Sequence, residues 1–239
     1  MSVGVVFVHG IRTSASMWRP QLEYLAERGN RAFAVDLPGH GPRMAEPFTL
    51  AESFDTIDRA VQDAAKHGPV MLVGHSMGGL LSLEYAGSET APALAAFIGA
   101  GCTAVPRGAG LRAYRGFLKG FDSLPDRGAA LTDYVLARTL PDETRLDFGA
   151  GGYAYDAQHV ALAALTALDP LRAVRSIRSP LWFVNGQFDQ LRVNESLFMR
   201  TVPHAELIVV PRTSHLVTAM RPQIFNAVLH LAITTAEQT

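Results

Sequence analysis

Residues 74–78 read Gly-His-Ser-Met-Gly. A serine hydroxyl becomes a nucleophile only when a base takes its proton, and that base needs a third group to hold its tautomer. Gly74 and Gly78 stand two places before and two places after Ser76, where they remove side chains that would clash in a sharp turn. Strained turns of this kind concentrate at functional sites. An apolar run, "VMLV", precedes the pattern and a helix-like run follows it, which is the strand–turn–helix context of a G-x-S-x-G nucleophile elbow. The plain alternative is a glycine-rich turn carrying an inert serine.

The partners of Ser76 depend on where the elements bring the chain. Short runs rich in Val, Ile and Phe lie at 3–8, 31–35, 70–73, 94–100, 181–184 and 206–210. None alternates strictly between apolar and polar, which suits strands covered on both faces. Helix-like segments at about 17–28, 50–66, 77–87, 192–200 and 221–235 separate them. This rhythm predicts right-handed crossovers and an α/β, doubly wound, mostly parallel sheet of about six strands. The interval 107–168 breaks it: sixty-two residues hold no convincing strand, only helix-like stretches at about 111–120, 129–140 and 153–168. That is far longer than an ordinary connection. The expected organisation is a core of 1–106 and 169–239 with a helical cap inserted at 107–168; a helical excursion packed on the side is the alternative.

In a parallel sheet, catalytic groups gather beyond the carboxyl ends of the strands. Of eight histidines, His204 precedes the run 206–210, His230 lies within the last helix and His67 precedes the strand of Ser76. His75 adjoins Ser76, so its side chain should point elsewhere, and His9 and His40 lie in glycine-rich stretches with other roles. His215 follows the run 206–210 by the loop "PRTSH" and is the best base. Asp189 lies in the loop after 181–184 and is the best acid. The loop after 94–100, "GCTAVPRG", carries no carboxylate. Asp36 also ends a strand, but "VDLPGHG" reads as a turn whose aspartate caps loop amides. The order Ser76, Asp189, His215 is that of this elbow type.

With these three loops in order, the chain resembles the α/β-hydrolase superfamily, in its cap-bearing serine esterase and lactonase-like branch. "FVHGIRTSASMW" is similar to that family's His-Gly loop and "VDLPGHG" to its D-x-P-G-x-G loop. The resemblance runs from Val3 to the last helix except for the cap, and the family's first antiparallel hairpin is missing. It implies an oxyanion hole made by the amides of Ile11 and Met77, and hydrolysis of an ester-like bond (carboxylester, lactone or thioester) through an acyl-enzyme. It implies no metal or organic cofactor. A serine at the elbow argues against epoxide hydrolase and dehalogenase chemistry. Lyases and C–C bond hydrolases share the same triad, and some relatives are small-ligand receptors, so both alternatives stay open.

Arg12, next to Ile11, carries a permanent charge that can hold a carboxylate in two-pronged contact. It is the candidate substrate-binding residue; the alternative is a structural role, for example pairing with Glu46. The cap interval holds seven basic and seven acidic residues, which select no charge. Its seven aromatics suit a small, partly apolar substrate or simply pack the cap. Net charge is −1, so no basic field points to nucleic acid. The single cysteine, Cys102, forms no internal disulfide, and no zinc spacing occurs. No run is long enough for a membrane span, and "SVGVVFVHG" lacks the basic start of a signal peptide. A cytoplasmic protein acting on a small molecule is therefore expected. Its oligomeric state is not legible.

Overall fold

All six apolar runs are strands of one parallel sheet. The computed structural model describes residues 2–238, so residues 1 and 239, the outer limits of the expected core, lie outside it. The strands are β1 (Gly4–Val8), β2 (Ala32–Val35), β3 (Val70–His75), β4 (Ala96–Ala100), β5 (Leu181–Gly186) and β6 (Glu206–Val210). Their order across the sheet is β2-β1-β3-β4-β5-β6, every pair parallel. The order reverses between β1 and β3, and a crevice opens beyond the strand ends at such a switch point. Register sets Val8 opposite Gly74, and His75 opposite Ala100. The chain therefore leaves β1, β3 and β4 at nearly one level.

Both faces of the sheet are covered, which is why the strands lack alternation in sequence. Successive side chains of a strand point to opposite faces. Val6, Val8, Leu72 and Phe97 enter one core, with α2 (Leu50–Ala65), α3 (Met77–Ala86), α8 (Pro170–Ser176) and α9 (Glu195–Thr201). Val5, Phe7, Met71 and Ile98 enter the other, with α1 (Arg19–Ala26), α10 (Val217–Met220) and α11 (Pro222–Gln238). The four inner strands are buried throughout; the edges β2 and β6 are only partly covered.

Local signals explain the helix starts. Thr49 caps α2 by accepting the amide of Glu52, and Asp169 caps α8, with Pro170 at its first position. Three helices went unread in the sequence: α8, α10 and α6 (Asp142–Gly149). They span eight residues or fewer and offer too few for a 3.6-residue period to stand out.

Between β4 and β5 lie α4 (Gly108–Asp122), α5 (Ala129–Thr139), α6 and α7 (Tyr155–Ala164). They are held unequally. Near α6, Ala154 N donates to Arg12 O (3.1 Å) and Gly151 N to Ser16 Oγ (3.2 Å). Thr144 Oγ1 donates to Ala219 O (2.9 Å), and Arg19 pairs with Asp147. On α7, Ala161 and Leu162 are buried in the first core. By contrast, among the described side chains α4 buries only Leu118 and α5 only Leu136, while Phe117, Leu131, Tyr134 and Val135 are exposed.

Candidate active site

Ser76 sits between β3 and α3 with φ 53° and ψ −117°, a conformation costly to a non-glycine residue. Two glycines make room for it. A Cβ on Gly74 would lie 2.6 Å from Gly78 O, and one on Gly78 would collide with the carbonyl oxygen of His9. The elbow is tied to β4 by Ser76 N donating to Ala100 O (2.8 Å).

Three of the expected residues come together here. Ser76 Oγ lies 2.9 Å from His215 Nε2, and His215 Nδ1 lies 3.0 Å from both carboxylate oxygens of Asp189. An ionised carboxylate only accepts, so Nδ1 carries the proton and Nε2 is left to accept from the serine. Asp189 also receives the amide of Leu191 (2.8 Å). Burial pushes its carboxyl up, but the hydrogen bond and charge of His215 and the Leu191 amide outweigh that and hold it below the ordinary carboxylate range.

His75 does not point clear of the site. Its Nε2 donates to the carbonyl oxygen of His215 (3.0 Å), and the two rings stand 4.9 Å apart. It thus braces the backbone of the candidate base. Its Nδ1 is buried without a partner. Burial, reinforced by nearby His215, pulls the imidazole down to about 3. Nothing in the sequence separates this role from that of any histidine beside a nucleophile.

The loop after β1 is built as tightly. His9 Nδ1 donates to Gly10 O (2.8 Å), while His9 Nε2 accepts the amide of Leu37 (3.0 Å). The bond from the Leu37 amide requires the neutral ring, and burial holds His9 at about 3. Gly10 O also takes Thr13 Oγ1 and, at 3.4 Å, Thr13 N, closing a turn over residues 10–13. The amides of Ile11 and Met77, the expected oxyanion donors, have no acceptor among the described residues. Asp36 is structural, but the amide it accepts is not in its own loop: Oδ1 binds Ala15 N (2.7 Å), lashing the second loop to the first. His40 packs against His9, and its Nδ1 donates to Pro38 O.

Arg12 does not pair with Glu46, whose carboxylate is taken by Arg43. Its guanidinium lies over the Tyr155 ring, 4.4 Å from the centroid, and Nη2 is buried without a hydrogen-bond partner. Its φ of 67° is a second strained position beside the elbow.

Two cavities open at Ser76, of about 380 Å³ and about 300 Å³. Both are lined by Ile11, Ser76, Tyr114 and Gln190; Met77 belongs only to the larger, and Arg12 and His215 only to the smaller. Among the described residues, no group of three or more His, Cys, Asp or Glu side chains is placed to hold a metal ion. Nor, among them, is any helix long and apolar enough to cross a membrane.

Comparison with known proteins agrees with this architecture. A solved E-2-(acetamidomethylene)succinate hydrolase superposes with a TM-score of 0.76 at 22% identity, covering 98% of this chain and 92% of its own. A bromoperoxidase from Bacillus anthracis does so with a TM-score of 0.78 at 20% identity, covering 98% and 92%. In sequence, the (E)-2-((N-methylformamido)methylene)succinate hydrolase of Acinetobacter baylyi is 36% identical over 80 residues, 33% of this chain and 30% of that protein. Matches to the curated relatives thus span about a third of their length, 34% and 30% in two cases. The model of the alpha/beta hydrolase family matches residues 5–228. With a parallel six-stranded sheet and a serine elbow inside that span, the chain belongs to the alpha/beta hydrolase family.

Proposed function

We propose that this protein is a serine hydrolase that cleaves an ester-like bond of a small, partly apolar substrate through an acyl-enzyme. The hydrogen-bonded line Asp189–His215–Ser76 carries the reading. Ser76 Oγ attacks the carbonyl carbon while His215 Nε2 takes its proton. Asp189 steadies the imidazolium without being protonated itself. The amides of Ile11 and Met77 receive the oxyanion; their lack of another acceptor supports this. His215 then returns the proton to the departing atom, and water, activated by the same imidazole, releases the acid. The segment 107–168 serves as the cap over the site, and no cofactor takes part.

Arg12 binds substrate. Its guanidinium lies over the Tyr155 ring, and the N–H groups of Nη2, which have no hydrogen-bond partner, are available to an anion. The Acinetobacter relative is named for hydrolysis of a succinate, which supports an anionic substrate.

The test is direct. A fluorophosphonate should label the wild type at Ser76 alone, and Ser76→Ala should lower turnover of p-nitrophenyl esters by about 10⁴–10⁶-fold with the fold intact. Labelling at another serine, or near-normal turnover by the alanine variant, defeats the proposal.

A further inference from the structure

Ser76 faces two compartments, and they differ in chemistry. The larger is lined by Met77, Leu80, Val105, Leu111, Leu162 and Leu165. Two of its polar side chains are engaged: Arg107 donates to Thr166 O (3.2 Å) and Leu168 O (2.6 Å), and Asn194 Oδ1 accepts the amide of Val105 (2.9 Å). The smaller is aromatic, with Phe121, Phe148 and Tyr153 in its wall. Arg12 lines it, with Nη2 buried and without a hydrogen-bond partner. Tyr114, from α4, stands between the two with Ile11 and Gln190. No hydrogen bond engages its hydroxyl among the described residues.

The position of His215 gives these compartments a direction. When the tetrahedral intermediate collapses, the bond from the carbonyl carbon to the leaving oxygen breaks. The proton on His215 Nε2 passes to that oxygen, and the acyl carbon stays on Ser76 Oγ. The leaving group must therefore lie on the side where His215 is exposed, and His215 lines only the smaller compartment. Resting on the serine-hydrolase reading above, we infer that the larger compartment takes an aliphatic acyl group and the smaller a flat leaving group bearing a carboxylate. Arg12 binds that carboxylate, and Tyr114 is the partition that keeps the two halves apart. The preferred substrates are neutral acyl esters of anionic aryl or enol-like alcohols. Esters of dicarboxylic acids, whose charge lies on the acyl half, are disfavoured.

Esters that carry the carboxylate on opposite halves decide the direction without any variant. 4-Acetoxybenzoate carries its carboxylate on the leaving half and p-nitrophenyl hemisuccinate on the acyl half; phenyl acetate and p-nitrophenyl butyrate are their neutral references. The expected result is a higher kcat/KM for 4-acetoxybenzoate than for phenyl acetate despite its similar carbonyl, and no gain for the hemisuccinate. Arg12→Met should erase the first preference through KM. A gain for the hemisuccinate, or for neither anion, overturns the assignment.

Chain-length series test the apolar half. Leu111→Trp should lower kcat/KM for p-nitrophenyl octanoate relative to acetate by about tenfold or more, the scale on which small volume changes in a pocket discriminate. Val135→Trp, which narrows the smaller compartment, should instead lower it for octyl relative to ethyl acetate. The opposite pattern, or no change in either series, also overturns it. Fluorophosphonate labelling of Ser76 in every variant reports folding. Labelling that fails in the wild type sinks the hydrolase reading itself, whatever the ester preferences.

Discussion

Acid should unfold this protein early, through histidines that cannot take a proton while folded. His9 and His75 are both held at about 3, against 6.5 for a free imidazole. The reason is visible in each. His9 uses Nε2 to accept the Leu37 amide, and the Nδ1 of His75 is buried facing no acceptor. As pH falls through 6.5 the unfolded chain binds two protons that the folded chain refuses. Stability is therefore full above 6.5 and is lost as pH falls from there toward 3. Between pH 7 and pH 5 each histidine contributes a loss of about 2 kcal/mol, about 4 kcal/mol for the pair. That is a large part of the roughly 5–15 kcal/mol by which domains are stable. His40, lowered mainly by burial, adds to it. Urea unfolding can be followed through the buried Trp18 and Trp182. The free energy of unfolding at pH 7, 6 and 5 should show an uptake of two protons or more. In His75→Gln the amide can still donate to His215 O, and the uptake should drop by one. A wild-type stability flat between pH 7 and 5, or an unchanged slope in His75→Gln, would refute the reasoning.

Three substitutions test the rest of the site. Asp189→Asn should lower turnover by about 10⁴-fold, because the amide no longer enforces the Nδ1–H tautomer of His215, while binding of a product analogue changes little. Asp36→Asn leaves an amide oxygen to accept the Ala15 N–H but removes its charge, and should cost about 1 kcal/mol of stability, the difference between a charge-assisted and a neutral hydrogen bond; its turnover should fall far less. If Asp36→Asn abolishes turnover in a stable protein and Asp189→Asn does not, the carboxylate is wrongly chosen. Gly78→Ala drives a methyl into the His9 carbonyl, and should cost about 1–3 kcal/mol by overpacking and slow fluorophosphonate labelling of Ser76; a variant equal to wild type in both would show that the elbow tolerates a side chain there.

Strands and the loops that leave them were legible because a two-sided sheet demands unbroken apolar runs, and because a parallel sheet delivers its loops to one end. Ser76, Asp189 and His215 could be found by asking which polar residues follow a strand. The proposed oxyanion amides come only through resemblance, since a backbone N–H leaves no mark on residue type. Local rules assign Asp36 to its own turn, yet its partner Ala15 lies 21 residues earlier; such rules are blind to a bond between loops. Charge alone allows Arg12 to pair with Glu46, and Arg43 has that carboxylate instead. The division of the cavity by Tyr114 depends on how α4 lies over the sheet, a long-range placement that no spacing encodes.

The unequal hold on the helices between β4 and β5 means that this segment does not open as a single piece. Amides of α6 and α7 share their fate with the core, because breaking them requires parting from Arg12, Ser16 and Ala219 or exposing Ala161 and Leu162. The amides of α4 and α5 are guarded by little more than Leu118 and Leu136. Segments with so little buried apolar contact open at a small fraction of the global free energy. In deuterated water α4 and α5 should therefore exchange first and together, in a native protein whose sheet is still fully protected. Tyr114 travels with α4, so the same excursion that bares those amides merges the two compartments into one trough, and a substrate too long to thread between them can be laid in from above.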